Sequence, residues 1–223
     1  MSNPWDVMER APQGDADVTG IYEAVGRALS MWEILEEAVA ALYGTIIGTH
    51  SQAAMAAYGT VASGPGRMGM IVAAAEAEHT FIDKQSLSEV KSLLREIGEL
   101  AARRNDIAHG TAAMFSGSLA QGNYLVPPRY NTRRQQSPRR VFDLSRSDEF
   151  VFGRFKYAYT AAQIDRYADH FWNYVEKVYD LHDKLTGLRL GKEAKRNEAV
   201  KARERAQLEA YVEQQLQQRR QDQ

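Results

Sequence analysis

The 223-residue chain has no cysteine. That excludes disulfide staples, thiolate zinc sites, iron–sulfur clusters and cysteine nucleophiles. Proline is scarce, at six residues. No apolar run approaches the roughly 18 residues that a membrane-spanning helix needs. The N-terminus, Met1-Ser2-Asn3-Pro4-Trp5-Asp6, lacks the basic and apolar pattern of a secretory signal, so a cytoplasmic location without membrane attachment is expected. Charge of one sign is also missing overall, because the formal net charge is only −1. A generally basic, polyanion-coating surface is therefore excluded.

What is present suits a globular fold, with 44% hydrophobic and 26% charged residues. The length allows one compact domain of about 150 residues with appendages, or two small domains. The near-zero charge conceals a segregation along the chain. Residues 1–122 sum to −7, residues 123–146 to +5, residues 147–187 to −2 and residues 188–223 to +3. The concentrated arginine segment is thus a candidate anion-facing patch.

Periodicity predicts a mainly all-α fold: an up-and-down bundle of about four to five helices with a small β-hairpin-like insertion and a charged C-terminal helix. Residues 1–17, with Pro4, Pro12 and Gly14, read as a flexible arm. The bundle spans 18–187. Its first helix carries Ile21, Val25, Leu29, Trp32, Leu35, Val39, Leu42 and Ile46 at spacings of three and four. A short alanine-rich helix over 51–62 should close at Gly64-Pro65-Gly66, and another should run from Met68 to Ile82. The next, capped by Ser86 or Ser88, carries Val90, Leu93, Leu94, Ile97, Leu100 and Ala101 up to Gly110.

Residues 111–122 are small and polar and read as loop. Residues 123–159 are rich in β-formers around Tyr124–Val126, Val141–Leu144 and Phe150–Tyr159, and read as the insertion. Thr160 and Gln163 form a capping box for a last bundle helix ending at Gly187. Residues 188–223, mostly Lys, Arg, Glu and Gln, form the charged helical tail.

The helix at 88–110 holds an anomaly. With Ile97 at zero and about 100° per residue, Val90, Leu94 and Ala101 lie at about +20°, about +60° and about +40°. Arg104 lies at about −20° on the same wheel, inside the apolar face. A guanidinium there keeps its charge and needs a carboxylate, a ring of carbonyls, a wet subunit boundary or an anionic ligand. Asn105 and His109 share one flank at i and i+4. His109, in the last turn, faces the negative end of the helix dipole, which favours an imidazolium. A fixed cation, an amide and an imidazole on one turn suit phosphodiester chemistry: proton transfer by the ring, charge stabilisation by the arginine.

The run Arg104-Asn105-Asp106-Ile107-Ala108-His109 resembles the R-x4–6-H motif of HEPN domains, including the polar residue after the arginine and the late position in a bundle helix. The resemblance is close over 88–110 and loose over 18–187. It implies a dimeric helical bundle acting as a metal-independent endoribonuclease without a cofactor. A ribose 2′-hydroxyl would attack the adjacent phosphate and leave a 2′,3′-cyclic phosphate, in a composite site built by two copies. In it Arg104 would stabilise the transition state, His109 would handle protons, and Asn105 would orient the phosphate or the imidazole. RNA and a second copy are the implied partners. An antitoxin or other regulatory protein is a further candidate, since the family includes toxin and defence components.

The residues leave alternatives open. Arg104 could pair with Glu33, Glu36 or Glu37 of a neighbouring helix, and His109 could bond a backbone carbonyl. The same bundle could bind RNA or a nucleotide without cutting it, or serve as a purely structural dimeric interaction protein. Arg129, Tyr130, Arg133, Arg134, Arg139 and Arg140 form a connector whose arginines can grip phosphates and whose tyrosine can stack on unpaired bases. A solvated loop is the plainer reading of that run.

His50, His79, His170 and His182 form no metal-ligand set and read as structural. Trp32, Tyr167, Trp172 and Tyr174, at helical spacing, read as core or subunit contact. Gly64–Gly69 lacks the Gly-Lys-Ser/Thr ending of a phosphate loop.

Overall fold

A computed structural model of the chain describes residues 3–117, 120–128 and 155–221, with side chains up to Gln207. It is mainly helical with one two-stranded antiparallel hairpin. The elements are α1 (Thr19–Ile47), α2 (Gln52–Gly59), α3 (Gly64–Ala77), α4 (Lys84–Ala108), β1 (Thr111–Ser116), β2 (Gln121–Val126) and α5 (Ala161–Gln221).

α1 buries Ile21, Ala24, Ala28, Trp32, Leu35, Val39, Leu42 and Ile46, the stripe its periodicity predicts, displaced onto alanines at the N-terminal end. Val25 and Leu29 lie half-buried against the same core. Its main partner is α5, with Trp32 meeting Phe171 edge to face at 5.2 Å. Gly48, at φ 76°, ends α1 in the left-handed conformation that glycine adopts without steric cost.

Boundaries differ from expectation at the starts of α3 and α4, along α5, and at the end of α3, which stops at Ala77 rather than Ile82. Gly64-Pro65-Gly66 is the first turn of α3, not a closing loop: the Ser63 hydroxyl accepts from the Gly66 amide at 3.2 Å, and proline needs no partner in a first turn. α4 is capped by Asp83, whose carboxylate accepts from the Ser86 amide at 2.7 Å. That bond holds the acid below its ordinary pKa, and Ser86 itself is buried. α5 starts at the expected Thr160–Gln163 box, with the Thr160 amide donating to Gln163 Oε1 at 3.0 Å. It then runs through Gly187 and Gly191 without a break. No left-handed residue interrupts it there, since the positive-φ glycines among the described residues are Gly48 and Gly122.

The hairpin is displaced too. Residues 111–116, expected as loop, form β1 and pair with β2 in register from Thr111–Val126 to Ser116–Gln121. Small residues suffice for a strand when its neighbours supply the apolar cover. A second cluster of Phe115, Ala120, Tyr124, Val126, Phe155 and Ala158 does so here. The rest of the expected insertion, 129–154, lies outside the described residues.

The N-terminal arm is tied down. The Gly14 and Asp15 amides donate to the Gln121 and Asn123 carbonyls at 2.8 and 2.9 Å, and Tyr124 Oη donates to the Ala11 carbonyl at 3.1 Å. The arm thus satisfies the free edge of β2, whose amides and carbonyls would otherwise stand unpaired. Leu125 completes that edge by exchanging two backbone bonds with Tyr159 at 2.8 and 2.9 Å.

Candidate functional site

The last turns of α4 present two adjacent arginines to different surroundings. Arg103 is the buried one, with its side chain 5% exposed and Nη2 3.0 Å from Asp106 one turn on. Tyr157, fully buried, donates its hydroxyl to the Asp106 carbonyl at 2.8 Å and so seals this side. Arg104, expected on the packed face, instead borders a cleft of about 450 Å³ between α1, α3 and α4.

The displacement has a tertiary cause. Along most of α4 the covering partners are helices. At its C-terminal end the 155–159 segment and Leu125 press on the opposite flank, with Leu125 against Gly110, where any Cβ would clash at 2.6 Å.

Arg104 is 31% exposed. Its Nη1 donates to Asn105 Oδ1 at 3.3 Å, and its Nη2 stands 3.7 Å from Glu33 Oε1 on α1. Its buried Nε has no hydrogen-bond partner among the described residues. The carboxylate alternative is therefore met in part, by Glu33, but Glu33 is itself 69% exposed. An ion pair that long and wet is worth about 0–1 kcal/mol, little enough for a phosphate to displace it.

Around this group the cleft is lined by Trp32, Glu36, Gly64, Pro65, Arg67, Met68 and Asn105. Arg67 bonds Glu36 at 2.9 Å and the Val61 carbonyl at 2.8 Å, so it is already engaged. Burial, reinforced by Glu36, pushes the Tyr58 hydroxyl beneath Arg67 up to about 12, leaving it neutral in that pair. The arginine open to an incoming anion is Arg104. Arg67 is not foreseeable as a lining residue: it sits in the first turn of a helix with no marked apolar stripe, and only the packing of α3 on α1 brings it to the cleft.

His109 is the C-cap of α4 and is exposed, its amide donating to the Asn105 carbonyl at 3.2 Å. It is not among the residues lining the cleft. On a regular helix, five residues place it about 140° around the axis from Arg104 and about 40° from Asn105. The structure thus brings Arg104 and Asn105 together at the cleft, while His109, one turn on from Asn105, is not among the residues that line it.

The arginine connector, Arg129, Tyr130, Arg133, Arg134, Arg139 and Arg140, lies outside the described residues. Trp32, Tyr167 and Tyr174 are core, whereas Trp172 is exposed, with Nε1 on Glu176 at 3.2 Å. Among the described residues no group of three or more His, Asp or Glu could hold a metal ion. None of the described helices is long and apolar enough to cross a membrane. No protein-family model matches the chain, and neither a curated protein nor a solved structure does.

Proposed function

We propose that the chain is an endoribonuclease of HEPN type, working as a homodimer without a metal cofactor. The observation that carries this reading is Arg104: a permanent cation at the rim of an open cleft, beside an amide, its nearest acid loose and solvated. In the reaction, the ribose 2′-oxygen bonds to phosphorus as the bond to the 5′-oxygen breaks. His109 removes the 2′-proton or protonates the departing 5′-oxygen, and Arg104 stabilises the charge that builds on the phosphoryl oxygens. The products are a 2′,3′-cyclic phosphate and a free 5′-hydroxyl.

The divergence of Arg104 and His109 on one helix favours a composite site, since the two side chains leave the helix axis about 140° apart. A second copy would bring its His109 to the first copy's Arg104. The same divergence favours one competing reading, that Arg104 and Asn105 hold RNA without cutting it.

Incubation of purified protein with mixed RNA in EDTA separates the two. Cleavage giving cyclic phosphate ends, abolished in both His109→Ala and Arg104→Ala protein, is the expected result. Cleavage restored on mixing those two variants would place the two groups on different subunits. Salt-sensitive binding with no turnover would leave only the binding module, and activity surviving His109→Ala would remove the mechanism altogether.

A further inference from the structure

We propose that the protruding part of α5 is a phosphate-tracking arm for double-stranded or folded RNA, and that it uses a single face. Residues 191–207 are exposed without exception, and the helix continues to Gln221. About 30 residues beyond Leu190 therefore extend roughly 45 Å past the bundle at 1.5 Å per residue. The described side chains of this stretch, 191–207, contribute nothing to the core, so their value lies in what they present to solvent.

Its charges are sorted. With Lys192 set to zero on an ideal helix, Arg203 falls at about +20°, Arg196 at about +40° and Lys195 at about −60°. The other side chains of that band between 192 and 207 are Ala199, Ala206 and Gln207. The acids lie outside it, Glu193 at about +100°, Glu198 at about −120° and Glu204 at about +120°. Lys201 and Arg205 take the far side, at about 180° and about −140°. A solvated helix held together by alternating charges would scatter its acids over every face. This one keeps a strip about 16 Å long, from Lys192 to Arg203, free of them.

At the root of the strip, Arg189 fixes the arm to the bundle. Its guanidinium donates to the Thr45 carbonyl at 2.6 Å, at the C-terminal end of α1, and lies over the Phe81 ring at 5.1 Å. The strip therefore starts from a point attached to the bundle.

The kind of nucleic acid follows from what the strip lacks. The strip from Lys192 to Arg203 carries no aromatic residue on which an unpaired base could stack, so it offers no platform for single-stranded recognition of that type. Cations along a straight rod suit phosphates held in a fixed helical array, the mode by which duplex RNA is recognised through shape and backbone. This inference shares with the proposed function only the class of ligand. Its test reads binding, in a His109→Ala background where no cutting intervenes.

The probe is a fluorescein-labelled RNA hairpin of about 20 base pairs, titrated over a range of salt against two variants of equal charge. Lys192→Gln with Arg196→Gln should lower the slope of log K against log salt by about 1.5–2 and weaken binding at least tenfold at 0.15 M salt. Lys201→Gln with Arg205→Gln should change affinity less than about twofold. Equal losses in both variants, or none in either, would overturn the proposal, because net charge or another surface would then account for binding. So would a change in sedimentation confined to the first variant, which would make the strip a contact between copies. Unchanged helical circular dichroism in both variants keeps the comparison valid. Intact cleavage of a dinucleotide by the same pair of substitutions in a His109-containing chain would show that the cleft is untouched. Absence of nuclease activity from the chain that carries neither pair of substitutions, with the binding pattern preserved, would instead overturn the cleavage reading alone.

Discussion

Arg103 and Arg104 are chemically identical neighbours, yet α4 gives them opposite surroundings. Arg103 is closed in by Asp106 and by the 155–159 segment, whose Tyr157 bonds the same turn, so its charge is spent inside the molecule. Arg104 looks into a cleft and touches an exposed acid only loosely, at 3.7 Å. The difference shows that inward direction alone does not mark an arginine as available to a ligand. What matters is whether the polypeptide has already supplied its counter-charge. A pair sealed within one helical turn has its counter-charge already, and an open one is free to meet a phosphate.

The sharpest way to break this comparison is to truncate each arginine in turn. Arg103→Ala leaves Asp106 buried without that guanidinium and should cost about 3–5 kcal/mol, read by chemical denaturation. Replacing both partners by apolar residues, Arg103→Met with Asp106→Leu, should recover most of that loss. Arg104→Ala should cost less than about 1 kcal/mol, since its acid is exposed. It should nevertheless reduce RNA cleavage at least about 10²-fold, as loss of a charge-stabilising donor does. A large stability loss at Arg104 with unchanged cleavage would reverse the assignment of the two residues.

A smaller effect is expected one contact further in. Tyr157→Phe removes the bond to the Asp106 carbonyl while keeping the ring, which stacks on Tyr159 at 4.8 Å. The loss should be about 1 kcal/mol, with cleavage unchanged, because the sealed side serves the fold.

The smallest effect concerns pH. Burial lowers the His170 pKa from 6.5, with Asp169 opposing and Arg166 reinforcing the shift. The unfolded chain therefore binds a proton at higher pH than the folded one does. Stability should fall modestly as pH drops below about 6.5 and level off beneath the folded-state value. His170→Asn should remove that part of the acid sensitivity, and a parallel pair of denaturation midpoints between pH 7.5 and 5 would reveal it. An unchanged pH slope would mean that His170 does not titrate differently in the two states.

Much of the helical framework is legible in the residues. The stripe of α1, the Thr160–Gln163 box of α5 and the stretch from Val90 to Leu100 on α4 follow from periods of three and four, because one side must meet a core whatever that core is. The place of the hairpin is not legible in this way, because Thr111–Ser116 has no strand pattern of its own. It pairs because β2 is held on its other edge by Gly14, Asp15 and Tyr159. The continuity of α5 through Gly187 is equally hidden, since glycine weakens a helix by only about 1 kcal/mol and the flanking residues decide the outcome.

At the site, spacing is enough to place Arg104, Asn105 and His109 on one turn and to suggest phosphodiester chemistry. It extrapolates a single burial direction along α4 and so puts Arg104 on the packed face, where the structure puts Arg103. That direction changes where the covering element changes from helix to hairpin, and no local period carries this information. The composition of each helix face is a property of nearby residues. Which arginine keeps its charge available depends on groups far off in the chain, Glu33 on α1 before it and Tyr157 after it, brought close only when the chain packs.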